Sequence, residues 1–200
     1  MPERHSPAEL ACPDCGGFFP DVDGPTHAYV GGSAGCWAAF GQLGARELQL
    51  GILGPERLSV HAYTAQHPGH EGRRQAQSVG VHLMVLSAVL ERGVPVADAV
   101  GAMPGWLTGR PRWPWLEPPT RPYGVSIQTL PLQADQLALE SAVRVWAEAV
   151  WAGWSDHHAT IRRWLDRGAR PGRGGAGPSA GSRRCGSSRA RSGRRAGSER

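Results

Sequence analysis

The residues with the clearest capacity for chemistry are two cysteines near the start of the chain, in the pentapeptide CPDCG at positions 12–16. A C-P-x-C-G turn directs two thiolates at one point, and its glycine lets the backbone curl beneath an ion. Cys12 and Cys15 therefore resemble half of a zinc knuckle. Two alternatives remain: free surface thiols, or a redox pair, although a thioredoxin-like pair would follow a strand and open a helix.

A tetrahedral zinc site needs two more ligands. Cys36 is the nearest thiol, at the start of a predicted helix whose positive dipole end favours a thiolate. Beside Trp37 it could equally be a small buried apolar residue. His67, at the end of a short predicted helix, is preferred as the fourth ligand over the remaining candidates, His27, His61 and His82. Zn²⁺ is the expected ion, and the sequence does not separate it from iron.

A polar group around His67 supports a second interpretation. Tyr63, Gln66 and His67 lie at i, i+3 and i+4 and share one helix face, so Tyr63 or Gln66 could orient a ligating imidazole. His82 lies on the apolar stripe of a long predicted helix, where a hydrogen-bonded core histidine is the simpler reading. A pocket that joins His67 to His82 would instead suit a metal-dependent, hydrolase-like enzyme. The common hydrolase, kinase and dehydrogenase motifs are absent from the sequence.

The spacing of apolar residues predicts the elements that position these side chains. Segments with helical spacing lie at about 35–50, 59–66 (after a Ser59 cap), 75–92, 94–103 and 134–151, with a last helix capped by Ser155 or Asp156 that ends near Gly168. A proline-rich run at 104–122 predicts a rigid loop whose tryptophans cap the core, and alternation at 124–130 predicts a lone strand. The fold class is mainly α: a single compact domain of four or five short helices.

The chain divides by composition into three parts. Residues 1–35 form a Gly/Pro-rich leader that carries the knuckle and packs on the core, residues 36–167 form the helical core, and residues 168–200 form an Arg-rich tail. The leader is poor in apolar residues, so we expect that a cross-link to the core, here called a staple, must hold it in place. No signal peptide and no apolar run of about 20 residues is present, which predicts a cytoplasmic protein without a membrane span.

The net charge of +5 is unevenly distributed. The tail carries nine Arg against one Glu, so the other residues carry a net charge of −3. With no large apolar side chain, the tail is expected to be disordered. It could contact nucleic acid or another polyanion through salt-sensitive charge attraction, without reading sequence.

Several short motifs, taken together, resemble one bacterial family, the Domain of Unknown Function 5946. They are CPDCG at 12–16, HAY at 27–29, GCW at 35–37, RLSVHAYTAQHPG at 57–69, QSVGVHLMVL at 77–86 and WPWLEPP at 113–119. The resemblance covers about residues 12–165 and brings no activity with it. It implies that seven residues stand at the family's motif positions, namely Cys12, Cys15, Cys36, Tyr63, Gln66, His67 and His82. It also implies that His61 replaces an acidic residue.

Three functions follow in order of preference. A structural zinc site comes first, because thiolate-rich sites are usually structural. The metal-dependent enzyme comes second, since no acid/base pair is evident in the sequence. Nucleic-acid binding through the tail comes third, because the rest of the chain is net negative.

Overall fold

The computed structural model describes residues 8–108, 111–120 and 123–168. Within those ranges the chain is mainly α-helical, as the sequence predicts. The elements are β1 (Glu9–Ala11), β2 (Phe18–Pro20), α1 (Ala34–Gln49), α2 (Leu58–Gln66), α3 (Arg73–Arg92), α4 (Val96–Trp106), α5 (Gln136–Gly153) and α6 (His158–Gly168). The described residues form six α-helices, one more than the four or five predicted, because both short predicted segments fold as helices, α2 and α4. The predicted disorder of the tail lies outside the described residues, apart from Gly168.

The described part of the leader begins with an antiparallel hairpin rather than with loops alone. β1 pairs with β2 in a register that sets Leu10 opposite Phe19, and the CPDCG turn lies between the two strands. Phe19 is buried, whereas Leu10 and Phe18 are exposed. The start of α1 packs against β2 at Gly35, where a Cβ would meet the main-chain oxygen of Pro20. A glycine is therefore required for this close approach.

α2 lies at the centre of the helical core and packs against α3 and α5. All but one of its residues are buried, so this short helix is stabilised by tertiary packing. Two tryptophans hold its C-terminal end: the indole of Trp146 donates to Gln66 Oε1 over 2.9 Å, and that of Trp154 donates to the carbonyl of Ala65 over 3.1 Å. None of the described helices has the length and apolar character needed to cross a membrane.

The strand predicted at 124–130 is wrong. Ile127–Thr129 forms a 3₁₀ turn, and Ser126 accepts a hydrogen bond from the backbone N–H of Gln128 over 3.3 Å. A serine that bonds its own backbone offers the chain an alternative to a strand, and in the described sheet β2 pairs with β1 and not with this segment. The Gln128 side chain instead accepts a hydrogen bond from the N–H of Phe18 over 3.0 Å, which ties this turn to β2.

Three helix ends also differ from the prediction. α2 begins at Leu58, so Ser59 lies inside the helix rather than at its cap. α4 continues through Pro104 to the buried Trp106. Ser155 and Asp156 form a 3₁₀ turn before α6 rather than its cap.

Within the proline-rich run, the described residues 111–120 fold over the core as expected. Trp113 packs on α3 at Gly80, where a Cβ would lie 3.0 Å from the indole, and it meets Trp164 edge-on at 4.9 Å between ring centroids.

Candidate metal centre

Four side chains from three separate segments converge at one buried point. Cys12, Cys15, Cys36 and His67 each offer a ligand atom, and these atoms all lie within 4.8 Å of one another. Cys15 Sγ lies 3.9 Å from Cys36 Sγ, which in turn lies 3.3 Å from His67 Nε2. Around a tetrahedral zinc with Zn–S bonds of about 2.3 Å and Zn–N bonds of about 2.0 Å, these edges would be about 3.8 and 3.5 Å. The Cys3His group therefore has the dimensions of a tetrahedral metal site.

The turn between β1 and β2 presents the first two thiols. The N–H of Gly16 donates to the carbonyl of Cys12 over 2.9 Å, and the N–H of Cys12 donates to the carbonyl of Gly17 over 2.8 Å. Gly16 has a φ of +71°, in the left-handed region that favours glycine. This closed turn brings Cys12 and Cys15 to the same side of the backbone.

Cys36 belongs to the first turn of α1. Ser33 caps this helix, because its hydroxyl accepts a hydrogen bond from the N–H of Cys36 over 3.2 Å. The cap fixes where the helix starts, and it thereby fixes the direction of the Cys36 side chain. The thiol lies at the positive end of the helix dipole, which lowers the cost of its ionisation when a metal binds.

His67 follows the last residue of α2 and is fully buried. Its Nδ1 lies 2.8 Å from the main-chain oxygen of Tyr63. A carbonyl oxygen can only accept, so Nδ1 carries a proton and Nε2 is the ring nitrogen that faces the sulfurs. The hydroxyl of Tyr63 donates to Cys36 Sγ over 3.5 Å. Tyr63 thus supports two members of the group.

The group concentrates negative charge on sulfur. Hydrogen bonds from the thiols of Cys15 and Cys36 hold the pKa of Cys12 far below its usual value. Its hydrogen bonds with Cys12 and Cys15, together with burial, raise the pKa of Cys36, which therefore keeps its proton. Burial alone would lower the pKa of His67, but its hydrogen bonds with Cys12 and Cys15 raise that pKa to about 9. A cation bound here would displace the thiol protons and hold the sulfurs as thiolates.

Hydrogen bonds also join the knuckle to the loop that follows His67. Asp14 accepts a hydrogen bond through Oδ2 from the N–H of Gly69 over 3.0 Å, and burial raises the pKa of this carboxyl. The N–H of Gly31 donates to the carbonyl of His67 over 3.1 Å, and a Cβ on Gly31 would strike the Asp14 carboxylate. Sequence reasoning missed Asp14, whose only signal is its place between the two knuckle cysteines.

An aromatic stack covers one side of the group. The ring of Tyr63 lies between Phe40 and His67, with centroids 4.1 and 4.0 Å away. Trp37 adds a tilted contact with Tyr63 at 5.8 Å. The stack keeps water away from the sulfurs and limits rotation of the imidazole.

Two other candidate residues lie outside the Cys3His group. His27 packs against Tyr29 and Trp37, with ring centroids 4.3 and 5.2 Å away. Gln66 does not orient the imidazole: its amide donates to the carbonyl of Val125 over 2.8 Å, and its oxygen accepts from Trp146. Gln66 therefore joins the end of α2 to α5 and to the 123–130 segment.

His82 also lies apart from the group, and its partner is His61. The two Nδ1 atoms are 2.8 Å apart, so one ring donates and the other accepts. Burial lowers the pKa of His61 to about 3, with a further contribution from His82, and burial lowers the pKa of His82 to about 4. Both rings are therefore neutral near pH 7. His82 is hydrogen-bonded, as the simpler interpretation of the sequence predicts, but it is half-buried rather than enclosed in the core, and among the described residues it shares no site with His67.

One comparison with known proteins gives a match. A model of a family described as "Family of unknown function (DUF5946)" matches residues 10–155, a range that contains all four members of the Cys3His group. No curated protein and no solved structure matches the chain.

Proposed function

The chain belongs to the DUF5946 family of unknown function, and from its Cys3His group we propose that it is a zinc protein whose ion is structural. The ion joins the leader, through Cys12 and Cys15, to the helical core, through Cys36 and His67. The observation that carries the proposal is the convergence of these four buried ligand atoms within 4.8 Å.

A structural role fits the number of ligands. Four protein ligands fill a tetrahedral shell, whereas a catalytic zinc keeps one position for water or substrate. The metal-dependent enzyme considered as an alternative needs such an open position, and its second histidine, His82, is paired with His61. We therefore favour the closed site.

The leader needs such a staple because it buries few apolar side chains. From Ala8 to Ser33 its buried apolar side chains other than cysteine are Phe19 and Val30. So little apolar burial cannot by itself offset the cost of ordering the backbone of this segment. A bound ion contributes folding free energy here, as it does in small zinc domains.

Zinc suits the donors better than magnesium or calcium does. Three thiolates and one imidazole form a common structural zinc set, and soft sulfur ligands disfavour magnesium and calcium. A cytoplasmic location is part of the proposal, because Cys12, Cys15 and Cys36 are free thiols and the cytoplasm is a compartment in which thiols stay reduced.

Elemental analysis of the full chain, purified without a histidine tag, tests the proposal directly. We expect about one zinc per chain. Chelation should lower the free energy of unfolding by several kcal/mol. It should also speed amide hydrogen exchange in 8–33, while α3 and α5 stay protected. Folded protein purified with no metal, or a leader whose hydrogen exchange is unchanged by chelation, would refute the staple.

A further inference from the structure

A cleft of about 590 Å³ opens beside the first two turns of α3, away from the Cys3His group. Its polar lining comes from α3 and includes Arg73, Arg74, Gln77 and Ser78. We refer to it below as the α3 cleft.

The charge of the α3 cleft is uncompensated. Arg73 and Arg74 form no ion pair within the described residues, and no carboxylate from that part of the chain lines the cleft. Glu71 is exposed nearby but is not among the lining residues. Two arginines without an acidic partner favour an anion in this cleft.

The N-terminus of α3 adds to the preference for an anion. The helix has no side-chain cap, because its N-cap residue is Gly72, and no acidic residue lies in its first turn. The first N–H groups of a 20-residue helix are thus left without an internal partner at the positive end of the helix dipole. Such an end is a natural site for phosphate oxygens.

His82 supplies a directed polar group at the wall of the cleft. Its Nδ1 is engaged by His61, so Nε2 is the ring nitrogen left for a ligand. When His61 donates within the pair, His82 Nε2 carries its proton and can donate to a phosphate oxygen. The hydrogen bond to the buried His61 therefore holds the half-buried His82 ring in place before a ligand binds.

The rest of the lining is apolar or aromatic. It consists of Tyr29, Val81, Met103 and Leu107. Because these residues come from the leader, α3 and the C-terminal end of α4 with its cap residue, the cleft has room and contact surface for more than a bare inorganic ion.

From this arrangement we propose that the α3 cleft is a binding site for a small organic phosphate. Arg73, Arg74 and the start of α3 hold the phosphate, His82 donates a hydrogen bond to it, and the apolar wall receives the organic part. The site is separate from the metal centre and does not depend on its being structural.

Calorimetric titration of the full-length, metal-loaded protein tests the site with three probes: phenyl phosphate, inorganic phosphate and phenol. Phenyl phosphate should bind with a stoichiometry of one and more tightly than inorganic phosphate, and phenol should show no saturable binding. Binding should weaken as NaCl screens the charges. Absence of saturable phenyl phosphate binding, or equal binding of phenol, overturns the proposal.

Matched variants localise the binding. Arg73→Gln and Arg74→Gln, at exposed positions, should each weaken phenyl phosphate binding by about tenfold. Arg163→Gln, on the exposed face of α6, should leave it unchanged. Ser78→Asp places a negative charge in the cleft and should abolish binding, whereas the neutral Ser78→Asn should retain it. An equal loss in Arg163→Gln, or binding that survives Ser78→Asp, would place the phosphate elsewhere and refute the site.

Discussion

The imidazole of His67 donates a hydrogen bond from Nδ1 to the main-chain oxygen of Tyr63, over 2.8 Å. The two residues lie one helical turn apart, so the end of α2 itself sets the tautomer that turns Nε2 towards the sulfurs. Because the acceptor is a main-chain atom, this orientation does not depend on the Tyr63 side chain. The ligand geometry is therefore built into the helix end.

Replacing His67 should remove the metal, whereas replacing His82 should not. His67→Ala leaves three ligands and opens the site to water, so we expect substoichiometric zinc. His67→Cys restores a fourth soft ligand and should recover at least part of the metal. Zinc per chain in purified protein is the measurement, and His82→Ala is the matched control. Full zinc in His67→Ala would exclude this histidine as a ligand.

Loss of the knuckle thiols should release the metal and destabilise the fold. Cys12→Ser and Cys15→Ser each replace a thiolate with a poor zinc ligand, and we expect a loss of several kcal/mol in the free energy of unfolding. Denaturant titration with parallel metal analysis measures both effects. Cys185→Ser changes the cysteine in the tail, outside the described residues, and should behave as wild type. Unchanged metal content in the knuckle variants would end the hypothesis of a zinc site here.

Tyr63→Phe should weaken metal binding without abolishing it. The variant loses the hydrogen bond from the hydroxyl to Cys36 Sγ but keeps the ring stack and the main-chain acceptor for His67. Loss of one such supporting hydrogen bond typically lowers metal affinity by about 10-fold or more. Competition with a chromophoric chelator gives the affinity, with Tyr29→Phe as the control. Equal affinities in wild type and Tyr63→Phe would assign the hydroxyl no role.

Gln66→Met should destabilise the core and leave the metal in place. The methionine fills a similar volume but leaves the buried indole N–H of Trp146 without an acceptor. We expect this loss to lower the free energy of unfolding by about 1–3 kcal/mol. Gln136→Met, at an exposed position of α5, is the matched control. Urea denaturation measures stability, and elemental analysis measures metal. Zinc loss in Gln66→Met at neutral pH would show that this residue does support the site.

The His61–His82 pair should make the protein less stable as the pH falls from about 6.5 towards 4. In the folded chain burial lowers the pKa of His61 to about 3 and of His82 to about 4. In the unfolded chain both have a pKa near 6.5, so below that pH the unfolded state binds protons that the folded state does not. Each histidine then costs about 1.4 kcal/mol for each pH unit.

Comparison of variants isolates this effect from acid release of the metal, which all the proteins share. The double variant His61→Gln/His82→Gln should show a shallower fall in unfolding free energy between pH 7 and pH 5 than wild type does. His70→Gln, at an exposed position, should retain the wild-type slope. Identical slopes in all three proteins would mean that the pair is not held neutral.

Local patterning accounts for much of the helical architecture. The helices predicted at 35–50, 75–92 and 134–151 begin and end within two residues of α1, α3 and α5. Their apolar spacing is set within each segment, so no distant contact is needed to specify them. The strand predicted at 124–130 failed for the opposite reason: a strand exists only with a partner, and alternation in one segment says nothing about a neighbour.

The candidate site also combines features set within one segment with contacts between distant segments. The sequence by itself determined the knuckle of Cys12 and Cys15, because three-residue spacing within one closed turn fixes both thiols relative to each other. It ranked His67 above the other histidines from its place at a helix end, but it could not bring that residue to the knuckle. Only the tertiary structure decided that His67 meets the sulfurs while His82 turns to His61. That choice depends on which face of α2 packs against the leader and which against α3, and packing between segments far apart in the chain is not encoded in the spacing of either one.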